Sequence, residues 1–350
     1  MVNNIGISPD YLLTIGKFTA DTNSGVSTIQ IVQRMESADS ASLVMDNMKD
    51  DSGKRNFDKI AKGDLVEIEL GYKETGRAIV FSGNVVSRKP SLSSGEGASL
   101  TIECAGLEFN LLSEKIGEDN SFTKQILYSI ASSIISSSGL TLNIINAPTT
   151  ILGSPSDNPV LIFDEEMTKM EVLKSLADQH GYDIVVLSNK IMTWYPKDVK
   201  DGQAIQIKYA ENLIAGEVDD AEASHNVVTV KAGLVNEETT LTYTAEDSES
   251  LNDGQARREI IVYNAGLGDA ASVQEYAESL LEAEKKKKIT GQVSATGSPS
   301  YKKRGLVNIQ DDGSIGLRGI FEIQECTHIV SKLDGYRCDM LVHKGEVEES

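Results

Sequence analysis

Hydrophobic and polar positions alternate through much of the first 112 residues, the period-two pattern of strands with one buried face. Leu65-Val66-Glu67-Ile68-Glu69-Leu70 alternates in part. Thr28 to Gln33, Ala78 to Ser87 and Ala98 to Cys104 are further alternating or β-branched-rich runs. Turns rich in Gly and Ser, such as Ser93-Ser94-Gly95-Glu96-Gly97, separate them. A short helix is expected around Lys54 to Ala61. Short strands at roughly 10–15-residue spacing predict a barrel or a sandwich.

The period changes after about residue 113. Ser121 is expected to cap a helix carrying Ile126, Leu127, Ile130, Ile134 and Ile135, with Gly139 ending it. Thr168-Lys169-Met170-Glu171 is a capping-box pattern opening a second helix with Met170, Leu173, Leu176 and Ala177 on its apolar face. Gly181 stops that helix, and strands at Asp183–Leu187 and Lys190–Tyr195 follow, joined by Ser188-Asn189. This segment predicts a small α+β insertion. From about 201 the pattern is β again, at Ala204–Tyr209, Asn226–Lys231, Thr239–Thr244 and Glu259–Val262. Ser272-Val273-Gln274-Glu275 reads as another capping box. Val273, Tyr276, Ala277, Leu280 and Leu281 then form the stripe of an amphipathic helix ending at Lys285–Lys288. A β pattern resumes at Ile289.

Two distant segments share an order of features. The first runs through Gly63-Asp64-Leu65-Val66-Glu67-Ile68, Ile79 to Arg88 and Ser99 to Cys104. The second runs through Arg304-Gly305-Leu306-Val307-Asn308-Ile309, Gly319 to Gln324, His328 to Lys332 and Tyr336 to Leu341. Each is a glycine turn, a "V-x-I" strand, a strand containing a phenylalanine, a turn and a last alternating strand. Phe81 matches Phe321 in this alignment. The pattern predicts two similar β modules flanking inserted material.

Composition narrows the function classes. The chain has 350 residues, enough for two or three domains. Against 33 Lys and Arg stand 53 Asp and Glu, a net charge of −20. That charge disfavours a surface built to neutralise nucleic-acid phosphates or to lie on an anionic membrane. Cys104, Cys326 and Cys338 are too few and odd in number for a disulfide framework, which points to a reducing compartment. The opening Met1-Val2-Asn3-Asn4-Ile5-Gly6 has no signal-peptide pattern, and Ile126–Ile135 falls short of a membrane span.

Candidate chemistry competes with plainer readings throughout. Gly266-Leu267-Gly268-Asp269-Ala270-Ala271 lies between a strand and a helix, the setting of a dinucleotide-binding turn. No acidic residue closes the strand that follows, however, and Asp269 would repel a phosphate; the plain reading is a glycine turn entering a helix. Cys326, His328, Cys338 and His343 include metal-ligating types. Cys326 and His328 share a strand face, whereas Cys338 and His343 differ in parity, so the four are expected not to converge. His180 reads as a cation at a helix C-terminus and His225 as a loop residue. Glu165 and Glu166 are two acids among many, Gly16-Lys17 lacks the upstream glycine of a phosphate loop, and Lys285–Lys288 reads as a solvated helix end. No catalytic, cofactor-binding or metal-ligating residue is assigned.

The first module, through Gly63-Asp64-Leu65-Val66-Glu67-Ile68, Gly71-Tyr72 and Val80-Phe81-Ser82-Gly83-Asn84-Val85, resembles the first β domain of phage contractile-tail baseplate hub proteins, the late control protein D family. The N-terminal part of type VI secretion VgrG spike proteins belongs to the same group. Met170 to Tyr182 resembles that family's helix before a β-hairpin, and Ser272 to Lys288 the helix before its second barrel. Gly297-Ser298-Pro299, Gly305 to Ile309, Gly319 to Ile323, His328 and Gly335-Tyr336 resemble its closing barrel.

The resemblance implies a mainly β fold with α+β insertions and two tube-protein-like β-barrel domains in a homotrimeric hub. The expected divisions are 1–112 for the first barrel, 113–200 for an α+β connecting domain, and 201–232 with 289–345 for the second barrel. Residues 233–288 form an insertion with a long helix, and 346–350 an acidic tail. The implied role is structural rather than enzymatic, joining a six-fold tail tube to a three-fold spike carried on a separate chain. Other baseplate proteins are further expected partners, in a virion tail baseplate or injection particle assembled in the host cytoplasm. No OB-fold, repetitive spike or wall hydrolase follows the second barrel. The acidity suits a channel that DNA or other cargo crosses without sticking, and equally solubility before assembly. The competing readings are a tail-tip hub of a non-contractile phage and, from another class, a nucleotide-binding or cell-wall-degrading enzyme.

Overall fold

The structure is a computed structural model. It describes residues 8–35, 37–49, 53–93, 97–123, 125–147, 151–152, 160–196, 202–220, 224–232, 241–263, 270–286, 289–311, 313, 318–332 and 334–344. The fold is mainly β, as the alternation requires; apart from the one-turn helix Asn56–Lys59, the described α-helices lie in two insertions.

The first β unit comprises β1 (Pro9–Ile15), β2 (Phe18–Asp21), β3 (Val26–Arg34), β4 (Ser40–Asp46), the one-turn helix α1 (Asn56–Lys59), β5 (Leu65–Tyr72), β6 (Gly76–Ser93) and β7 (Gly97–Gly106). The pattern had picked out four of these strands and α1, but not β1, β2 or β4. In β4 the inward positions are Ala41, Leu43 and Met45, and the small Ala41 weakens the signal although burial alternates strictly. Gly16, at φ +54, makes the β1–β2 turn and donates its N–H to the Leu65 carbonyl, so Gly16-Lys17 is a hairpin tip.

The middle insertion holds α2 (Phe109–Ser113), β8 (Ser121–Thr123), β9 (Gln125–Ile126), α3 (Leu127–Ile135), β10 (Thr141–Ile144), β11 (Ile151–Leu152), β12 (Val160–Ile162), α4 (Lys169–Gln179), β13 (Tyr182–Val186) and β14 (Ile191–Pro196). Ser121 does not cap α3: it begins β8, which pairs with β12, and the helix starts after Ile126 in extended backbone. Phe122 is drawn into the insertion's core and keeps this stretch extended. The capping box of α4 does form. Thr168 Oγ1 accepts the Glu171 N–H at 3.2 Å, and Glu171 Oε2 accepts the Thr168 N–H at 2.7 Å. Trp194, fully buried, anchors this core beside Tyr182.

The second β unit opens with β15 (Ile205–Lys208) and β16 (Leu213–Asp220). A third layer then intervenes: β17 (Val227–Ala232), β18 (Leu241–Glu246), α5 (Ser248–Asn252), β19 (Glu259–Tyr263) and α6 (Ala270–Lys286). Sequence grouping assigned Val227–Ala232 to the second barrel. The structure instead pairs β17 with β18 and β19, because Val228 and Val230 bury their side chains under Val273, Ala277 and Leu281 of α6. α6 begins at Ala270, which places Ser272 inside the helix rather than at its cap. The unit closes with β20 (Ile289–Thr296), β21 (Leu306–Gln310), β22 (Arg318–Ser331) and β23 (Gly335–Lys344).

The two β units repeat one topology. The first has the spatial order β3-β4-β7-β6-β5-β1, the second β16-β20-β23-β22-β21-β15. Corresponding strands occur in the same order along the chain. Two of their irregularities also correspond. β3 bulges between Val26 and Thr28 against β4, as β16 bulges between Leu213 and Ala215 against β20. β6 bulges between Val85 and Ser87 against β7, as β22 bulges between Ile323 and Glu325 against β23. Ser93 pairs with Gly97 as Ser331 pairs with Gly335. Gly63 donates to the Val85 carbonyl, and Val85 to Asp64; Arg304 donates to Ile323, and Ile323 to Gly305. Gly63 and Arg304 both have positive φ there. β-bulges are specific local features, so their recurrence at matched places marks a real repeat.

Three differences qualify the match. β6 also bulges at Val80, between the pairs Ile68–Phe81 and Glu69–Ile79, where β21 and β22 pair without a break. β1 runs antiparallel to β5, whereas β15 runs parallel to β21. The phenylalanine alignment is also two residues out: Val307 pairs with Phe321, but Val66 pairs with Gly83. A side chain on Gly83 would meet the Phe81 ring at 2.7 Å, so Phe81 fills from two positions away the space that Phe321 fills directly. The shift of two keeps the face and escapes a pattern search.

Candidate functional site

The two β units meet through the long strand β22. Its first half is flanked by β21, from Arg318 opposite Gln310 to Glu322 opposite Leu306. Farther along the same edge β3 takes over, from Glu325 opposite Arg34 to Ser331 opposite Thr28. Among the described residues the repeats thereby share one thirteen-stranded sheet and one core. Ile29, Ile31, His328 and Val330 line the buried face of the joint. Each fully buried aliphatic side chain contributes about 1.5–3 kcal/mol relative to exposure. On the outer face Arg34 Nε meets Glu325 Oε2 at 2.8 Å. Gln33, buried, donates from Nε2 to the Val80 carbonyl at 2.8 Å. Tyr72 Oη reaches the Gly297 carbonyl at 2.9 Å, a second tie between the units.

A buried ion cluster holds the same junction. Lys303 Nζ lies 2.7 Å from Asp39 Oδ1 and 3.7 Å from Glu108 Oε1, all three side chains being nearly inaccessible. The Asp39 N–H donates to Glu108 and the Arg34 N–H to Asp39. Burial pushes the Asp39 carboxyl up to about 7; Lys303 opposes this and Glu108 reinforces it. The cluster ties the β3–β4 turn, the entry to α2 and the entry to β21 at one point. The β13–β14 hairpin docks nearby: Ser82 Oγ donates to the Ser188 carbonyl at 2.6 Å, and Arg304 pairs with Asp183 and stacks over Tyr195.

Two further edges are left open. β5 flanks β6 only as far as Asn84, so the edge from Val86 to Ser93 carries no strand among the described residues. β16 pairs with β20 on one side only, again among the described residues. Both edges carry exposed apolar side chains, Leu92 at 84% and Ile214 at 52% of full exposure.

Among the described residues, the one close group of metal-ligating types is Cys326, His328 and Cys338, with donor atoms within 4.8 Å of one another. Cys326 Sγ faces His328 Nε2 at 3.4 Å, whereas Cys338 Sγ faces Nδ1 at 3.2 Å, and Tyr336 Oη also meets Nδ1 at 2.9 Å. The two sulfurs contact different ring nitrogens and so do not aim at one ion position. The arrangement hydrogen-bonds a fully buried imidazole. Burial pushes the Cys326 thiol up. His343 pairs with Thr290 and stays outside the group, as its parity requires.

The remaining candidates have structural partners. His180 is the C-cap of α4, and burial lowers its pKa, which corrects its reading as a helix-end cation. His225 Nδ1 meets Glu284 Oε2 at 3.1 Å. Glu166 pairs with Lys115. Residues 264–269, including Gly266 to Asp269 of the glycine motif, lie outside the described residues, as do Met1–Gly6, Ser94–Glu96, Lys287, Lys288 and 346–350. α6 leads from β19 into β20 of the large sheet, not into a parallel neighbour of β19, so the dinucleotide unit is not built here. Lys285 pairs with Glu282 at 2.7 Å. No described helix is long and apolar enough to cross a membrane.

A family model described as the Alg8 N-terminal domain matches residues 12–316. No curated protein matches by sequence. Among solved structures, the 43 kDa tail protein of prophage MuSo2 from Shewanella oneidensis aligns with TM-score 0.73 and 18% identity, covering 96% of this chain and 98% of its own. A tail protein from Neisseria meningitidis aligns with TM-score 0.74 and 14% identity, covering 96% and 97%. The E. coli c3393 protein, a component of the type VI secretion system described as structurally similar to T4 tail proteins gp27 and gp5, aligns with TM-score 0.54 and 12% identity, covering 95% and 77%. The chain therefore has a fold shared with phage tail proteins.

Proposed function

The chain belongs to the Alg8 N-terminal domain family, and from its fold and its internal repeat we propose that it is the baseplate hub of a contractile phage tail or related injection particle. The observation that carries this reading is the repeat: two units of matching strand order joined by one sheet. Three such chains form a homotrimer presenting six similar units, which adapts a six-fold tube to a three-fold spike. The partners are the tail tube protein, a spike protein on a separate chain and other baseplate proteins, in a virion tail or particle assembled in the host cytoplasm. The role is geometric rather than catalytic. The fold neighbours are tail and type VI secretion proteins, and the buried polar clusters are hydrogen-bonded within the core. The net charge of −20 suits a conduit that DNA or other cargo passes without adhering.

Light scattering and negative-stain imaging of the purified chain test the reading. The expected result is a trimer with a three-fold ring and a central opening. A monomer persisting at tens of micromolar would overturn it. A tail-tip hub of a non-contractile phage is the nearest alternative. It is distinguished by whether the ring binds a purified contractile-tail tube protein.

A further inference from the structure

The joint inside the chain specifies how copies of the chain meet. Matching the bulges places Ala215 of β16 where β3 has Thr28, and Val218 where β3 has Ile31. The same matching places Leu92 of β6 where β22 has Val330, and Lys89 where β22 has Thr327. Within the chain, β3 of the first unit covers the far half of β22 in the second. The equivalent half-edge of the first unit is β6 from Ser87 to Ser93, and the equivalent strand of the second unit is β16. Both are the open edges.

We propose that β16 of one copy pairs antiparallel with β6 of the next, in the register from Ala215 opposite Ser93 to Asp220 opposite Arg88, so that each joint between copies repeats the joint within each. This rests on the assembly reading above and names its surfaces.

The side chains at the two edges fit this register. Val330, covered by β3, is 6% exposed, whereas Leu92 at the matching place is 84% exposed. Two things differ: among the described residues no strand flanks Leu92 on its open edge, and Ala98 stands opposite it where Tyr336 stands opposite Val330. In the proposed register Leu92 faces Gly216, with Val218 next along the same face and already partly packed on the core. On the other face Asp219 lies opposite Lys89, both exposed, as Arg34 lies opposite Glu325 in the internal joint. An acidic strand thus meets a basic one, which favours this partner over a copy of itself. Pro90 has no N–H, so it removes at most one ladder bond. Because the two surfaces differ, the contact is head-to-tail and builds a closed ring or a filament, not a two-fold dimer.

The test is cysteine cross-linking in the full chain. Cys104, Cys326 and Cys338 are buried, so introduced thiols report alone. Lys89→Cys with Asp219→Cys places two thiols across the joint within disulfide reach. Mild oxidation is expected to give covalent dimer and trimer bands, while Lys89→Cys with Val218→Cys, on opposite faces, gives none. Lys89→Glu is expected to weaken association about tenfold, and Asp219→Lys added to it to restore assembly. Oligomers by light scattering that do not cross-link would overturn this pairing and leave the hub reading standing. A monomeric wild-type chain would overturn both.

Discussion

The hairpins β6–β7 and β22–β23 share a bulge and a register, yet their surroundings differ. On β22 the far edge is covered, and its inward face holds Cys326, His328 and Val330 in the core. On β6 the matching edge is open, and the matching positions are Arg88, Pro90 and Leu92. Arg88 turns back to the Phe57 and Ile60 carbonyls and stacks on Phe57. Backbone geometry is therefore the conserved part of the repeat, and side chains follow what lies against each edge. A hydrophobic residue at a matched place is core in one unit and an exposed contact in the other.

The largest expected effect separates two lysines. Lys303, two residues before Gly305, is buried against Asp39 and Glu108, whereas Lys62, two residues before Asp64, is exposed. Lys303→Met leaves two buried carboxylates unpaired and should cost about 3–5 kcal/mol in urea unfolding. Lys62→Met should stay within about 0.5 kcal/mol. The Lys303 loss should also deepen with pH. The folded-state pKa of Asp39 lies above its ordinary 3.8, near 7 even with the lysine present. Stability from that proton is therefore present at low pH and lost as pH rises through the folded value. Midpoints at pH 5 and pH 8 measure the difference.

The next effect compares the matched apolar positions. Val330→Ala should lower stability by about 2 kcal/mol. Leu92→Ala should leave unfolding of the dissociated chain within about 0.5 kcal/mol while weakening self-association. Equal stability losses would break the comparison, because Leu92 would then be core in the single chain.

A comparable effect concerns Gly297, where an added Cβ would fall 2.2 Å from the Tyr336 ring. Gly297→Ala should cost about 1–3 kcal/mol, and Tyr336→Ala should relieve most of that penalty in the double variant. The first unit carries Ala98 at the Tyr336 place and has no ring to accommodate. Additive losses would show that the contact is not the cause.

Much of this was legible in the sequence. Partial alternation at Leu65–Leu70 found β5, the run Ala98–Cys104 found β7, the capping box at Thr168 found α4, and the stripe of Val273, Ala277 and Leu281 found the helix of the third layer. The "L-V-x-I" runs at Leu65 and Leu306 revealed the repeat, since a strand with one buried face has little freedom in its pattern. What escaped was non-local. Phe81 and Phe321 reach one place from positions two residues apart, which only packing decides. Val227–Ala232 reads the same in either sheet, and the α6 stripe decides which. The Lys303 cluster joins positions far apart in the chain with no motif spacing to announce it. The open edges leave almost no signal, because an exposed leucine is unremarkable until its matched residue is seen buried.

The most direct measurement of the central claim is a cryo-electron microscopy reconstruction of the assembled chain at a resolution that separates strands. The account predicts three chains in a ring, with β16 of each lying beside β6 of the next and six alike joints around the circuit. Chains meeting about a two-fold axis, or with both edges still facing solvent, would contradict it.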